Sequence, residues 1–147
     1  MKIRVEERPT IEETEVLISC KVKNEQTEEI VRILTYLNKT ITGKIDDRLY
    51  TLAPRKIYFF DSADNKVFAY TKNEVYEISL KLYQLEEILS DTPFIRINKN
   101  TILNTRKIQT FSSSLNGRME ATLLNKEKLI ISRKYVSVLK RKLGGKL

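Results

Sequence analysis

The 147-residue sequence predicts a mainly β fold, α+β overall, preceded by a small strand–helix extension. Three observations point there. Between residues 41 and 79, short runs rich in Tyr, Phe, Val and Ile recur without a helical period, as in an antiparallel sheet or small barrel. Asn116-Gly117 lies between two further strand-like runs, and Asn-Gly in that setting is the strongest short-range hairpin signal. Residues 25–38, by contrast, carry a broad apolar stripe at helical spacing. The length is that of one domain with enough chain to bury a core.

In the extension, residues 1–40, Lys2–Glu7 reads as a short strand. Val16, Ile18, Cys20 and Val22 alternate along Glu15–Val22, the period of a half-buried strand, which makes Cys20 a packed thiol. Asn24 is placed to cap the following helix, and Glu25, Glu28 and Glu29 suit the positive end of its dipole. The stripe of Ile30, Val31, Ile33, Leu34 and Leu37 serves either as a dimer surface or as packing on the β domain. That domain is placed at residues 44–147. Its first strands are expected at Leu49–Leu52, Ile57–Phe60, Lys66–Thr71 and Val75–Ile78. Ser79 is expected to cap a helix over Leu80–Leu89 that turns Leu82, Leu85, Ile88 and Leu89 inward before Asp91, Thr92 and Pro93 stop it. Strands resume at Phe94–Ile97. Asn98–Asn104 is too polar for a core strand and too patterned for a linker. Ile108–Ser114 and Arg118–Leu124 flank the Asn-Gly turn, Leu124–Glu127 makes the next turn, and Lys128–Ile131 forms the last strand. Ser132 is expected to cap a basic helix, Arg133–Leu143, ended by Gly144-Gly145.

Composition narrows the chemistry. The chain has no His, which removes Ser-His-Asp and Cys-His catalysis and His-ligated metals. Its single cysteine makes neither an internal disulfide nor a thiolate metal site. None of the four glycines sits in a phosphate-cradling loop, and the paired carboxylates (Glu12-Glu13, Asp46-Asp47, Glu86-Glu87) read as solvated surface runs. No catalytic constellation, cofactor or small-molecule substrate is therefore expected. No apolar run approaches the roughly 18–20 residues of a membrane span, and Met1–Glu7 lacks a signal-peptide core, so a soluble cytoplasmic chain is expected.

The formal charge of +8 is unevenly distributed. Residues 1–40 carry 7 basic and 8 acidic side chains, residues 41–91 carry 7 and 9, and residues 92–147 carry 13 and 2, a net +11. An anionic partner would relieve that self-repulsion. Duplex DNA asks for phosphate neutralisation together with planar or amide side chains at base edges, Arg and Lys suiting guanine and Asn suiting adenine. Three polar, basic loops offer them: Asn98, Lys99 and Asn100 after one strand, Arg133 and Lys134 at the junction of the last strand and last helix, and Asn65 and Lys66. The aromatics fall mainly in apolar strand runs, which disfavours a single-strand stacking platform. No two helices follow closely enough for a helix-turn-helix.

Lys56–Ser62, Tyr70-Thr71, Ser79–Leu89, Phe94–Asn104 followed by Ile108, and Ile131–Tyr135, in that order, resemble the LytTR family of bacterial DNA-binding domains. The most diagnostic piece is Phe94-Ile95-Arg96-Ile97-Asn98-Lys99-Asn100-Thr101-Ile102-Leu103-Asn104, with Asn98 standing for the usual His and Asn100 for the usual Ser. The resemblance implies an elongated, multi-sheet β domain with short helices that grips double-stranded DNA with loops entering successive major grooves. By position, Lys99 falls on one base-contacting place, Lys134 beside Arg133 on a second, and Asn65 and Lys66 near a third. Arg96, Asn104 and Tyr135 are open to a structural or a functional role. The short extension resembles that of receiver-less members, whose activity is often held in check by a membrane-protein partner. A homodimer would suit paired sites, because linking two modules raises effective affinity. The expected function is a transcriptional regulator that reads duplex DNA; the alternative is a basic protein- or membrane-interaction module without sequence readout.

Overall fold

The computed structural model describes residues 1–144; Gly145, expected to help end the last helix, lies outside the described residues. Regular structure begins with α1 (Glu25–Asn38) and continues through β1 (Ile41–Ile45), β2 (Arg48–Leu52), β3 (Phe59–Ala63), β4 (Lys66–Tyr70) and β5 (Val75–Ile78). It proceeds with α2 (Leu82–Ile88), β6 (Phe94–Asn98), β7 (Thr101–Asn104), β8 (Ile108–Ser113), β9 (Met119–Leu123), β10 (Lys128–Ile131) and α3 (Arg133–Lys142). The strands form a seven-stranded antiparallel sheet, ordered β2-β1-β5-β4-β3-β7-β6, and a three-stranded sheet, ordered β10-β9-β8. The mainly β reading holds.

Adjacent residues of the central strands are buried on opposite faces, because side chains alternate along a strand. Phe60 and Ile102 join Leu82, Leu85 and Leu89 in a core that α2 covers. Phe59, Leu103, Ile95 and Ile97 face the other way and pack with Ala121, Leu123, Ile131 and Leu139, so the small sheet and α3 close that side. Phe59 stacks on Tyr70 with ring centroids 4.4 Å apart, and Phe60 meets Phe94 at 5.5 Å. Full burial of a side chain such as Phe60 contributes about 1.5–3 kcal/mol.

Several local expectations are corrected. Lys2–Glu7 and Glu15–Val22 form no strand; residues 1–23 run as irregular and largely exposed chain, and the Cys20 thiol is exposed rather than packed. An alternating pattern makes a strand only where a neighbour completes its ladder, and among the described residues none pairs with it. The α1 cap is as expected: the Asn24 side chain accepts from the Thr27 amide and the Thr27 hydroxyl accepts from the Asn24 amide, both at 3.0 Å. Helix α2 starts later than expected, at Leu82, with the Gln84 side chain accepting from the Lys81 amide (2.8 Å), and Ile88 stays exposed. Ser132 precedes α3 without capping it, its hydroxyl donating instead to the Ile97 carbonyl (3.3 Å).

The largest correction concerns Asn98–Asn104. Thr101–Asn104 is a wholly buried strand between β3 and β6, despite its two polar ends. Both ends are satisfied. The Thr101 hydroxyl donates to Asp61 (3.0 Å), and the Asn104 side chain donates to the Ile57 carbonyl (2.9 Å) and accepts from the Arg106 amide (3.1 Å). Buried polar groups that are fully paired cost little.

Candidate nucleic-acid interface

Turn chemistry positions the loops that carry the candidate residues. Between β3 and β4, Asp64 and Asn65 both adopt left-handed backbone (φ 52° and 63°), as a two-residue primed hairpin turn requires. Lys99 and Asn100 turn the chain between β6 and β7. At the β8–β9 hairpin, Asn116 (φ 59°, ψ 36°) and Gly117 (φ 75°) form the turn that the Asn-Gly pair predicted, closed from the Arg118 amide to the Leu115 carbonyl (3.3 Å).

Hydrogen bonds tie these tips into one edge. The Ser62 amide donates to the Asn100 carbonyl (2.9 Å), and the Ser62 hydroxyl bonds the Asn100 side-chain oxygen (3.3 Å), joining the β3–β4 tip to the β6–β7 tip. A bulge follows in β6: Arg96 pairs with Ile102 and Asn98 with Thr101, leaving Ile97 unpaired on β7. The freed Ile97 carbonyl accepts from the Ser132 amide (2.9 Å), and the Asn98 side chain donates to the Ile130 carbonyl (3.3 Å). The seam carries the edge across to the start of α3. There Arg133 lies against the Asn-Gly turn; a Cβ built on Gly117 would come within 2.9 Å of the Arg133 Cδ.

The seven sequence candidates thus fall along one edge, but they are not equivalent. Lys99, Arg133 and Lys134 are exposed cations, with Lys134 lying over the Tyr135 ring at 5.4 Å. Lys66 is exposed too and sits 3.9 Å from Glu77, while Asn65 occupies its turn beside Asp64. Asn100 keeps its side-chain NH2 outside these contacts. Asn98 is engaged inside the protein, its oxygen accepting from the Asn100 amide (2.9 Å) and its NH2 held by Ile130.

Arg96 has a structural role. Its guanidinium donates to the Asn98 carbonyl (3.0 Å), the Lys99 carbonyl (2.6 Å) and the Glu86 carboxylate (2.9 Å), so one planar group fixes the β6–β7 turn to α2. Asn104 is likewise structural. Tyr135 is half-buried, packed against the core that α3 covers.

Two further cations share the edge and were not singled out from sequence. Arg118 lines a depression with Asn116, Ser132, Arg133 and Lys134, and Lys81 lines another with Asn65, Lys66 and Asn100. The basic residue after Asn116-Gly117 was a readable signal for Arg118. Nothing local marks Lys81. Among the described residues, no group of three or more His, Cys, Asp or Glu side chains is gathered as a metal site, and no helix is long and apolar enough to cross a membrane.

Comparison with known proteins gives a consistent picture. The family model described as the LytTr DNA-binding domain matches residues 47–144. A "Sensory transduction protein LytT" of Enterococcus faecalis is 33% identical over 99 residues, covering 67% of this chain and 41% of that protein. The chain therefore spans about two fifths of that relative. An uncharacterized HTH-type transcriptional regulator of Staphylococcus aureus (strain NCTC 8325 / PS 47) is 28% identical over 134 residues, 90% of each chain. Among solved structures, the LytTr DNA-binding domain of a Bacillus cereus chain described as a methyl-accepting/DNA response regulator superposes with a TM-score of 0.69 at 20% identity, covering 73% of this chain and 98% of that one. That likeness concerns the fold.

Proposed function

The chain belongs to the LytTr DNA-binding domain family, and from that premise we propose that it is a transcriptional regulator that reads duplex DNA sequence through the turns of its basic edge. The observation that supports the reading is that hydrogen bonds link the β3–β4 tip, the 98–100 turn and the start of α3, with the 116–118 turn packed against Arg133. In this reading Lys99, Asn100, Arg133 and Lys134 reach base edges in successive major grooves, with Asn65 and Lys66 at the third contact. Arg118 and Lys81 neutralise phosphates beside them. Asn98 acts by holding the Lys99 turn. Hairpin tips replace a recognition helix, and no helix-turn-helix is needed: α2 and α3 are separated by the five strands β6 to β10.

The chain works as a homodimer in this reading, with α1 as the contact. Its Val31 is exposed, Ile30 and Leu34 on the same side are half-buried, and Tyr36 alone of its residues is buried in the domain core. Two copies on paired half-sites gain effective affinity without new base contacts.

The test is selection of bound sequences from a random duplex pool, at physiological salt with excess competitor DNA. Enrichment of a short motif, in two copies spaced by whole helical turns, is the expected result. Binding without enrichment that fades uniformly as salt rises overturns base readout and leaves a basic module that docks a protein or membrane face.

A further inference from the structure

A second basic site lies at the far end of the same strands. Asp64-Asn65 and Lys99-Asn100 mark one end of β3, β6 and β7; Arg55 precedes β3, Pro93 precedes β6, and Arg106 follows β7 at the other. Four or five residues of strand separate the two ends, about 13–17 Å at 3.3 Å per residue. At this far end α1 and the domain border an open cleft of about 520 Å³, a size that suits a small organic ligand.

The cleft is cationic. Arg32, Arg55, Arg106 and Lys142 line it against Glu29 and Asp91. Among the described residues, none of these four cations makes an ion pair or a side-chain hydrogen bond. Ile33, Leu37 and Pro93 give it an apolar wall. Tyr36 also lines it, is 8% exposed, and its buried hydroxyl has no hydrogen-bond partner. Burial raises the Tyr36 pKa above the ordinary tyrosine value, while the nearby Arg106 and Arg55 pull it down; the hydroxyl remains a neutral donor at pH 7. An unpartnered buried donor beside unpaired guanidinium groups is costly, and one anionic acceptor relieves it.

We propose that this cleft binds a small organic anion, a carboxylate or phosphate ester bearing an apolar group, between α1 and the β domain. Arg55, Arg106 and the Tyr36 hydroxyl hold the anionic head, and Ile33 and Leu37 cover the apolar part. Such a ligand bridges the two parts of the chain and fixes α1 against the domain. DNA phosphates bound at the tip edge are a strand's length away, so this site is separate from the interface.

The full-length chain, without DNA, is titrated with phenyl phosphate while the arginine side-chain N–H resonances are followed by NMR. Benzoate tests the carboxylate head, inorganic phosphate the anion alone, and benzyl alcohol the apolar group alone. The expected result is saturable shifts at Arg55 and Arg106 with phenyl phosphate or benzoate, at least tenfold tighter than with either half alone. Arg106→Gln should weaken binding about tenfold and Tyr36→Phe by several fold, with the rest of the spectrum preserved. Absence of saturation at Arg55 and Arg106 overturns the proposal. So does an equal response at Arg118 and Arg133, which would make the effect general anion association. Because no DNA is present, neither result depends on the interface assigned above.

Discussion

The Arg96 guanidinium donates to the main-chain carbonyl of Lys99 at 2.6 Å, so the exposed cation at the β6–β7 tip is aimed by a neighbour that is itself largely covered. The same group reaches Asn98 and Glu86, and only a planar fork serves all three. Arg96→Lys and Arg96→Ala are both expected to loosen the turn and weaken binding to the preferred duplex by about 1–3 kcal/mol. The domain should still fold. Full retention of specific affinity in Arg96→Lys, measured against competitor DNA, would remove the positioning role.

Lys99→Ala and Lys134→Ala should each lower affinity for the preferred site by about 1–3 kcal/mol and for random duplex by much less. Lys72→Ala is the control, since Lys72 follows β4 at the end away from the tips. It should change neither. Equal losses on both DNAs for Lys99→Ala would reassign that side chain to phosphate.

Gly117→Ala places a methyl group where the backbone has φ +75° and the Arg133 Cδ lies 2.9 Å from the added carbon. The strained backbone costs on the order of 1–3 kcal/mol, and Arg133 must shift. Thermal unfolding should report the first effect and specific DNA affinity the second. Unchanged affinity in a destabilised variant would place Arg133 outside the contact.

Asn104→Leu keeps the branched heavy-atom shape, though with bulkier methyl groups, and strips the Ile57 carbonyl and the Arg106 amide of their partner. A destabilisation of about 1–3 kcal/mol per orphaned group is expected in urea unfolding. A neutral result would mean that water replaces the amide.

Removal of residues 1–23 should leave the melting temperature unchanged, since that segment is irregular and largely exposed. Removal of residues 1–40 should give a folded monomer, read by circular dichroism and sedimentation. Ile30→Glu with Leu34→Glu in the full chain should also give a monomer. A dimer surviving both changes would move the contact elsewhere.

Much of this fold was legible because its strands announce themselves. Tyr58-Phe59-Phe60 and Lys128–Ile131 are apolar enough to be buried in any sheet, and Asn116-Gly117 fixes a hairpin by backbone conformation alone. The misreadings share one cause. Thr101–Asn104 looked too polar because its partners, Asp61 and Ile57, are about forty residues away in sequence. Val16 through Val22 looked like a strand because period two says nothing about whether a neighbour exists. In the candidate interface the turn residues were readable one loop at a time. That Lys81 stands beside Asn65 and Asn100, or that Tyr36 is enclosed without a partner, depends on how distant segments meet.

The bulge at Ile97 has a mechanical consequence. The main-chain link between the two sheets runs from the Ser132 amide to the Ile97 carbonyl, and every residue but proline supplies such an amide. The Ser132 side chain adds only a 3.3 Å hydroxyl contact to that link, so the offset between the Lys99 and Arg133 tips is carried largely by the main chain. In the proposed reading, changes at the tips would alter which bases are read while the step between readings stays constant, until Ser132→Pro removes the amide that links the sheets.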